Sequence, residues 1–473
     1  TPRQGDELRL LARRQGPVRV RAHVDARLYD GQIEVVSALI PGESEEEVVA
    51  VAHLCHPEPS ANDNASGAAA ALEMARALNT LIGSGRLWRP RRSIRLLWVP
   101  EMTGTYAYLA THDDERQRMV AGINLDMVGQ NQALCESVFL IERPPEALAS
   151  FAGDLAVALR EALQETDTVS SPGGSSVYPL YRQAVTAFSG GSDHYILSDP
   201  TVGVPTPMLI QWPDKFYHTS EDTLDKVDAR MLAVVGSLAT AYAYFVAAAG
   251  EREARWLAGE IVARAKGALA RLAQAGYTQA LAAETPQALA TVAEQTARAL
   301  AFRADRTGEA LASLSRLAAG LEPAIEAARG TIEAAREQEW ASLARELAGL
   351  GRALGAEGIP APAPREADEW EAAARRQVWR RRLRGPVSLR DITPRLADDD
   401  RVLVRRLAEA HGETVRHLPV YMLYWMDGRR SLSEVADLVE CETGRRDVEL
   451  FVQLAAVLGR AGLLEQVGHQ ADG

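Results

Sequence analysis

Between about residues 46 and 250 the chain alternates short apolar runs with longer stretches of helical period. EVVAVAHL (47–54) is continuously apolar enough to be a buried strand, and SGAAAALEMARALNTLI (66–82) repeats its apolar positions at helical spacing. SIRLLWV (93–99) then predicts a strand and GTYAYLATH (104–112) a helix. GINLDMV (122–128) predicts a strand that buries Asp126 within it, and PPEALASFAGDLAVALREAL (144–163) a helix. VPTPMLIQW (204–212) is a further strand, and DARMLAVVGSLATAYAYFVAAA (228–249) a closing helix. Apolar strands separated by amphipathic helices imply an α/β domain with a mostly parallel, twisted sheet flanked by helices.

The pattern differs outside that region. Residues 1–45 hold two alternating stretches, VRVRAHVDA and QIEVVSALI, which read as strands of an incomplete N-terminal region. Residues 251–358 are rich in Ala, Arg, Glu and Leu at helical period (EIVARAKGALARLAQA, AAREQEWASLARELAGL), which predicts a helical bundle or hairpin. A Pro-rich linker, 359–375, follows. Residues 376–473 carry short helical segments (VLVRRLAEAHGE, SLSEVADLVECETG, DVELFVQLAAVLGRAGLLEQ) whose rhythm suits a small winged-helix-like domain.

Composition narrows the function. The 473 residues are 47% hydrophobic and 25% charged, as in a folded globular chain of more than one domain. A net charge of −12 argues against a nucleic-acid partner, which would need a basic face. Arg clusters in the tail read as solvated helix faces, so a protein contact or homo-oligomer through that domain is expected instead. Three scattered cysteines (Cys55, Cys135, Cys441) make no disulfide framework and favour a reducing, cytoplasmic location. No apolar run of the ~18–20 residues that a membrane span needs is read, nor a secretory signal.

The candidate chemistry collects at strand ends. In AHLCHPEPSANDNASG, His53 ends a strand and Asp63 stands just before a helix, where an imidazole and a two-oxygen carboxylate could hold metal. Glu101 follows a strand in LLWVPEMTG, Asp126 lies in GINLDMVG, and His218 precedes the closing helix in KFYHTSEDT. Singly, such residues are helix caps or structural histidines. Together, four polar islands in the order His/Asp, Glu, Asp, His suit a catalytic zinc site, with nitrogen and oxygen donors and no clustered thiolates.

These local sequences resemble the peptidase family that includes bacterial zinc aminopeptidases, glutamate carboxypeptidase II and glutaminyl cyclase. The match rests on DNASG (63–67), INLDMVG (123–129), YHTSEDT (217–223) and GGSDHYIL (from Gly190), and covers about residues 47–250. The resemblance implies a zinc exopeptidase-like fold and one or two zinc ions. It assigns His53, Asp63 and Asp126 to one ion, Asp63 and His218 to a second, Glu101 as general base and Tyr217 as a donor to the oxyanion. Some bacterial relatives of aminopeptidase type append a winged-helix tail. Two positions depart from the family pattern. Met102 stands where a second glutamate ligand is usual, so the second site is incomplete, or Glu101 is itself the ligand, or another carboxylate fills in. Cys55 stands where an aspartate usually orients the first histidine, and His56 beside it is an alternative ligand. Asp193 and His194 read as supporting or helix-start residues with a possible substrate contact, Glu221 and Asp222 as first-turn helix acids. The expected activity is aminopeptidase hydrolysis of a peptide or small amide. A single-zinc amide hydrolase or glutaminyl-cyclase-like enzyme, and an inactive binding protein on the same fold, are the alternatives.

Overall fold

A seven-stranded sheet carries the region from residue 36 to 212, in the order β1-β3-β2-β4-β9-β5-β8. Its strands are β1 (Val36–Ile40), β2 (Glu47–His53), β3 (Ser93–Val99), β4 (Met119–Leu125), β5 (Val138–Glu142), β8 (Gln183–Thr186) and β9 (Met208–Trp212). A separate antiparallel pair, β6 (Thr168–Ser170) and β7 (Val177–Pro179), lies between β5 and β8 in sequence. The centre, β3-β2-β4-β9, is parallel; β1 runs antiparallel to β3, and β5 antiparallel to β9 but parallel to β8. The computed structural model describes residues 2–32, 34–56, 59–164, 168–170, 177–362, 368–412 and 414–467.

Parallel neighbours demand crossovers, and the helices supply them. They are α2 (Ala65–Gly83), α3 (Thr103–Thr111), α4 (Asp113–Arg118), α5 (Gln132–Cys135), α6 (Phe151–Gln164), α7 (His194–Leu197) and α8 (Ala229–Ala248), preceded by α1 (Pro2–Gln15). The central strands are buried on both faces, and their residues sort by parity as the pleat requires. Val48, Ala50, Ala52, Ile94, Leu96 and Trp98 join the core under α2, α6 and α8. Val49, Val51, Leu97 and Val99 face the opposite core, which Tyr108, Phe188, Tyr195 and the C-terminal residues complete.

Two further bodies close these faces. The long helices α9 (Glu251–Leu281), α10 (Pro286–Ala312) and α11 (Glu322–Ala353) pack on one another. Ala254, Leu257, Ile261, Ala265 and Leu269 of α9 share the core of the first face. The opposite face receives a C-terminal module: α12 (Glu369–Arg376), β10 (Val378–Arg381), α13 (Leu389–Ile392), α14 (Asp398–His411), α15 (Thr414–Trp425), β11 (Asp427–Ser431), α16 (Leu432–Thr443), α17 (Val448–Arg460) and β12 (Leu464–Val467). Its short strands form an antiparallel sheet in the order β11-β10-β12.

The structure corrects several expectations. VRVRAHVDA is no strand: residues 17–32 have no regular structure, Val20 and Val24 are 67% and 78% exposed, and the preceding residues 2–15 are helical. An alternating pattern is realised as a strand only where a neighbour takes its backbone hydrogen bonds, and among the described residues this one has none. Asp126 lies just past β4, not within it. The strands β5 and β8 were not anticipated, nor were β10, β11 and β12 in a tail read as helical. The Pro-rich segment gives way to α12, which packs on α16 and α17; its residues 363–367 lie outside the described residues. Finally, α8 is 20 residues long with a mean hydropathy of 1.7, long and apolar enough to cross a membrane. Here Val235, Leu238, Ala239, Tyr242, Ala243, Val246 and Ala247 place it in the protein core.

Candidate metal centre

Each candidate ligand sits where a strand, or the turn after it, runs out. Val51 of β2 pairs with Asn124 of β4. Two residues further along the same register, His53 and Asp126 stand side by side, with His53 Nε2 3.2 Å from Asp126 Oδ1. Asp63, in the turn before α2, brings Oδ1 to 3.4 Å from His53 Nε2. Its other oxygen, Oδ2, lies 3.2 Å from Nε2 of both His56 and His218, and those two nitrogens are 2.9 Å apart. Two triads therefore share Asp63: His53–Asp63–Asp126, wholly buried, and His56–Asp63–His218, at the rim. The His218 side chain is 51% exposed against 1% for His53.

The turn carrying Asp63 is tied down from several sides. Asp222, itself buried, accepts the backbone N–H groups of Asn62 (2.8 Å) and Asp63 (2.9 Å). Asn64 caps α2 by accepting from Gly67 N, and also accepts from Met127 N while donating to Leu125 O. Gly67 is required by this approach: a Cβ there would lie 2.3 Å from both Asn64 Oδ1 and Leu125 O. Ser66 adds Val128 N → Oγ at 3.0 Å. The start of α2 is thereby fastened to the end of β4, which fixes Asp63 against Asp126. His56, Met102, Met127 and His218 all have positive φ, a concentration of backbone strain at the site.

Cys55 joins the two triads from behind. Its Sγ lies 3.6 Å from His53 Nδ1 and 3.4 Å from His56 Nδ1, and it accepts the Glu101 backbone N–H at 3.2 Å. With both Nδ1 atoms engaged there, both Nε2 atoms are directed at Asp63. The Glu101 carboxylate reaches within 4.8 Å of donor atoms of His53, Cys55 and His56. Its turn is held by Asp193 Oδ1, which accepts from Met102 N (2.9 Å) and Thr105 Oγ1 (2.6 Å). Met102 itself packs against the apolar core shared with the C-terminal module. The residue brought to the second triad in its place is His56.

The electrostatics fit a cation. Burial opposes charge on His53, but its hydrogen bonds to Asp126 and Cys55 and the fields of Asp126 and Glu101 prevail and push it up to about 11. Burial, with Asp126 beside it, pushes Asp63 up to about 7; burial likewise raises Glu101 to about 7. Burial works against ionised Asp126 too, yet His53 holds it below the usual carboxylate range. His56 is lowered by burial and by His53. Asp63 Oδ2 is buried without a hydrogen-bond partner, and two imidazole nitrogens converge on it. Imidazole nitrogens and carboxylate oxygens gathered in this way fit zinc.

Two cavities meet at the centre. One, of about 490 Å³, runs from His56, Asp63, Glu101 and Asp126 along an apolar wall of Met127, Leu140, Met208, Ile210 and Trp212. The other, of about 460 Å³, is lined by Ser60, His218, Thr219, Ser220 and Asp222 besides His56 and Asp63. Tyr217 faces the first cavity, stacked on His218 at a centroid distance of 3.7 Å and edge-on to Trp212; burial pushes its hydroxyl up to about 12.

The sequence-predicted residues His53, Asp63, Glu101, Asp126 and His218 thus come together, and His56 and Cys55 join them. Asp193 holds the Glu101 turn. Asp222 is a correction: it is not a first-turn helix acid but the clamp on the Asp63 turn. Glu142 was missed with its strand. Buried, it accepts from His194 Nε2 (2.7 Å), Ser189 N (2.7 Å), Ser189 Oγ (2.6 Å) and Gly190 N (3.2 Å), and so shapes the loop that edges the apolar cavity.

Comparison with known proteins finds the following similarities. Residues 34–243 match the model of peptidase family M28. A Clostridium acetobutylicum polysaccharide biosynthesis protein with an aminopeptidase-like domain is 29% identical over 203 residues, 42% of this chain and 40% of that one. The chain thus matches less than half the length of that relative. Among solved structures, an aminopeptidase from Aneurinibacillus sp. strain AM-1 is 26% identical over 45% of this chain and 48% of its own, with a TM-score of 0.35. A zinc aminopeptidase from Bacillus subtilis is 22% identical over 44% and 49%, with a TM-score of 0.36.

Proposed function

We propose that residues 34–243, which match the model of peptidase family M28, form a zinc aminopeptidase domain that holds two ions. The observation that carries the reading is the pair of triads sharing Asp63, the second completed by His56 where the family's second glutamate is replaced by Met102. His53, Asp63 and Asp126 would hold one ion, and His56, Asp63 and His218 the other. Zinc bound there supplies a Lewis acid for the scissile carbonyl and acidifies water.

The chain's own groups then divide the work. Glu101, raised to about 7 by burial, can exchange a proton near neutral pH, taking it from water and returning it to the leaving amine. Tyr217, kept protonated by burial, can donate a hydrogen bond to the developing oxyanion. The apolar-walled cavity would take the side chain of the N-terminal residue, and the cavity beside His218 the leaving peptide. A second complete triad favours this reading over a single-zinc amide hydrolase or cyclase.

The test is metal analysis with a panel of aminoacyl-anilides. Two zinc ions per chain are expected, with anilide turnover that Glu101→Gln lowers by about 10²–10⁴-fold while retaining both ions. One ion with activity only on a non-peptide amide would favour the single-zinc alternative. A metal-free protein that turns over nothing would remove every enzymatic reading.

A further inference from the structure

The apolar cavity is not closed by the peptidase domain alone. His417, on α15 of the C-terminal module, lines it together with Glu101, Met127, Trp212 and Tyr217. Its position is fixed from both sides of the cavity loop. The Tyr421 hydroxyl donates to Phe188 O, just before residues 189–192 of that loop, and the Tyr424 hydroxyl donates to Tyr195 O (2.7 Å), just after them. Behind them the buried pair Arg381–Asp199 (2.8 Å) pins β10 to the peptidase domain, and Leu418, Met422 and Leu423 lie in a common core with Val49, Val51 and Val99. A module merely tethered to its neighbour would share neither a core nor a fully desolvated ion pair.

Resting on the aminopeptidase reading of the site, we infer that α15 is a wall of the acyl-side pocket. His417 contacts the substrate's N-terminal side chain and selects large apolar or aromatic residues. Size supports this. A cavity of about 490 Å³ is of the order that holds a small-molecule ligand, so a small aminoacyl side chain would leave its far wall untouched. A side chain long enough to cross the apolar surface of Met208, Ile210 and Trp212 can reach the imidazole, which offers a ring face as well as a polar edge. His417 belongs to neither triad and is absent from the cavity beside His218 on the leaving-group side, so its influence falls on the side chain rather than on the metal or the leaving group.

The experiment compares wild type, His417→Ala and His417→Phe in the full, zinc-loaded chain. It measures calorimetric affinity for the hydroxamates of glycine, leucine and phenylalanine, beside kcat and KM on the matching anilides. In wild type the affinity should rise from glycine to phenylalanine. His417→Ala should weaken the phenylalanine hydroxamate about 5- to 20-fold and raise KM for its anilide alike, with glycine hydroxamate affinity and zinc content unchanged. His417→Phe should restore much of the loss. Equal affinities for all three hydroxamates across the three proteins would overturn the proposal. So would a His417→Ala loss as large for glycine as for phenylalanine, which would mark a structural effect. Binding without turnover of any anilide would sink the aminopeptidase reading while leaving the hydroxamate comparison able to decide the role of α15.

Discussion

The two halves of the metal centre are built on different principles. The inner triad takes His53 from the end of β2 and Asp126 from just past the end of its parallel neighbour β4, where the register places them together, and is buried on all sides. The rim triad takes His56 and His218 from turns, both at positive φ, with the His218 side chain half in solvent. Strand ends give precise placement at no local cost, whereas strained turns must be held by their surroundings. The inner triad should therefore bind first and tightest, and the rim triad should govern how much of the protein is fully loaded.

Asp63 is the one residue common to both triads, so it offers the most severe break. Asp63→Ala should drop zinc from full loading to about zero per chain, as judged by mass spectrometry after gel filtration, with no activity remaining. Retention of either ion would mean that the triads do not share this carboxylate.

The histidines separate the two halves. His53→Ala should empty the inner site, and the rim site with it to a large degree, because the Asp63 geometry depends on the inner pair. His56→Ala should leave about one ion per chain and weaken only the other, by about 100-fold. The reverse order, with His56→Ala costing more metal than His53→Ala, would invert the comparison.

The same contrast explains what could be read from the chain beforehand. His53, Glu101 and Asp126 were legible because each follows a run apolar enough to be a strand, and functional groups collect beyond such ends. The partner of Met102's absent carboxylate was not. Only the folded turn shows that Met102 points into the core shared with the C-terminal module and that His56 swings to Asp63. Asp222 and Glu142 escaped for a related reason: each acts through a loop closed by long-range packing, and β5 and β8 are only five and four residues long. The helical tail was misread in part because strands such as Asp427–Ser431, DGRRS, carry no apolar alternation. VRVRAHVDA erred in the other direction, showing the alternation without a neighbouring strand.

Proton release gives a finer measure of the difference. Without metal, His53 is held protonated up to about 11 and Asp63 up to about 7. Above about pH 7 the first ion must displace the His53 proton, and below it the Asp63 proton as well. Affinity for the first ion should thus rise with pH, about tenfold per unit near pH 8 and more steeply below pH 7. His56 is pushed below its ordinary value and carries no proton there, so its side of the second step should add little release. Calorimetric titrations in buffers of differing ionisation enthalpy measure both steps, and equal proton release in each would erase the electrostatic distinction.

Cys55 is the smallest lever and the one that touches both halves at once. A ring that offers its Nε2 lone pair to a metal carries its proton on Nδ1, so with metal bound the Cys55 sulfur accepts from the Nδ1–H of both His53 and His56. A thiol proton given to one Nδ1 would put that ring's own proton on Nε2 and remove it as a ligand. Cys55→Ser keeps a donor and acceptor but shortens the reach, and should weaken zinc less than about tenfold; Cys55→Ala removes the anchor and should cost about 10- to 100-fold. Because one sulfur supports both rings, the loss should appear in both binding steps of a competitive chelator titration. A loss confined to the rim step would show that strand β2 alone orients His53, leaving Cys55 as a support for His56 only.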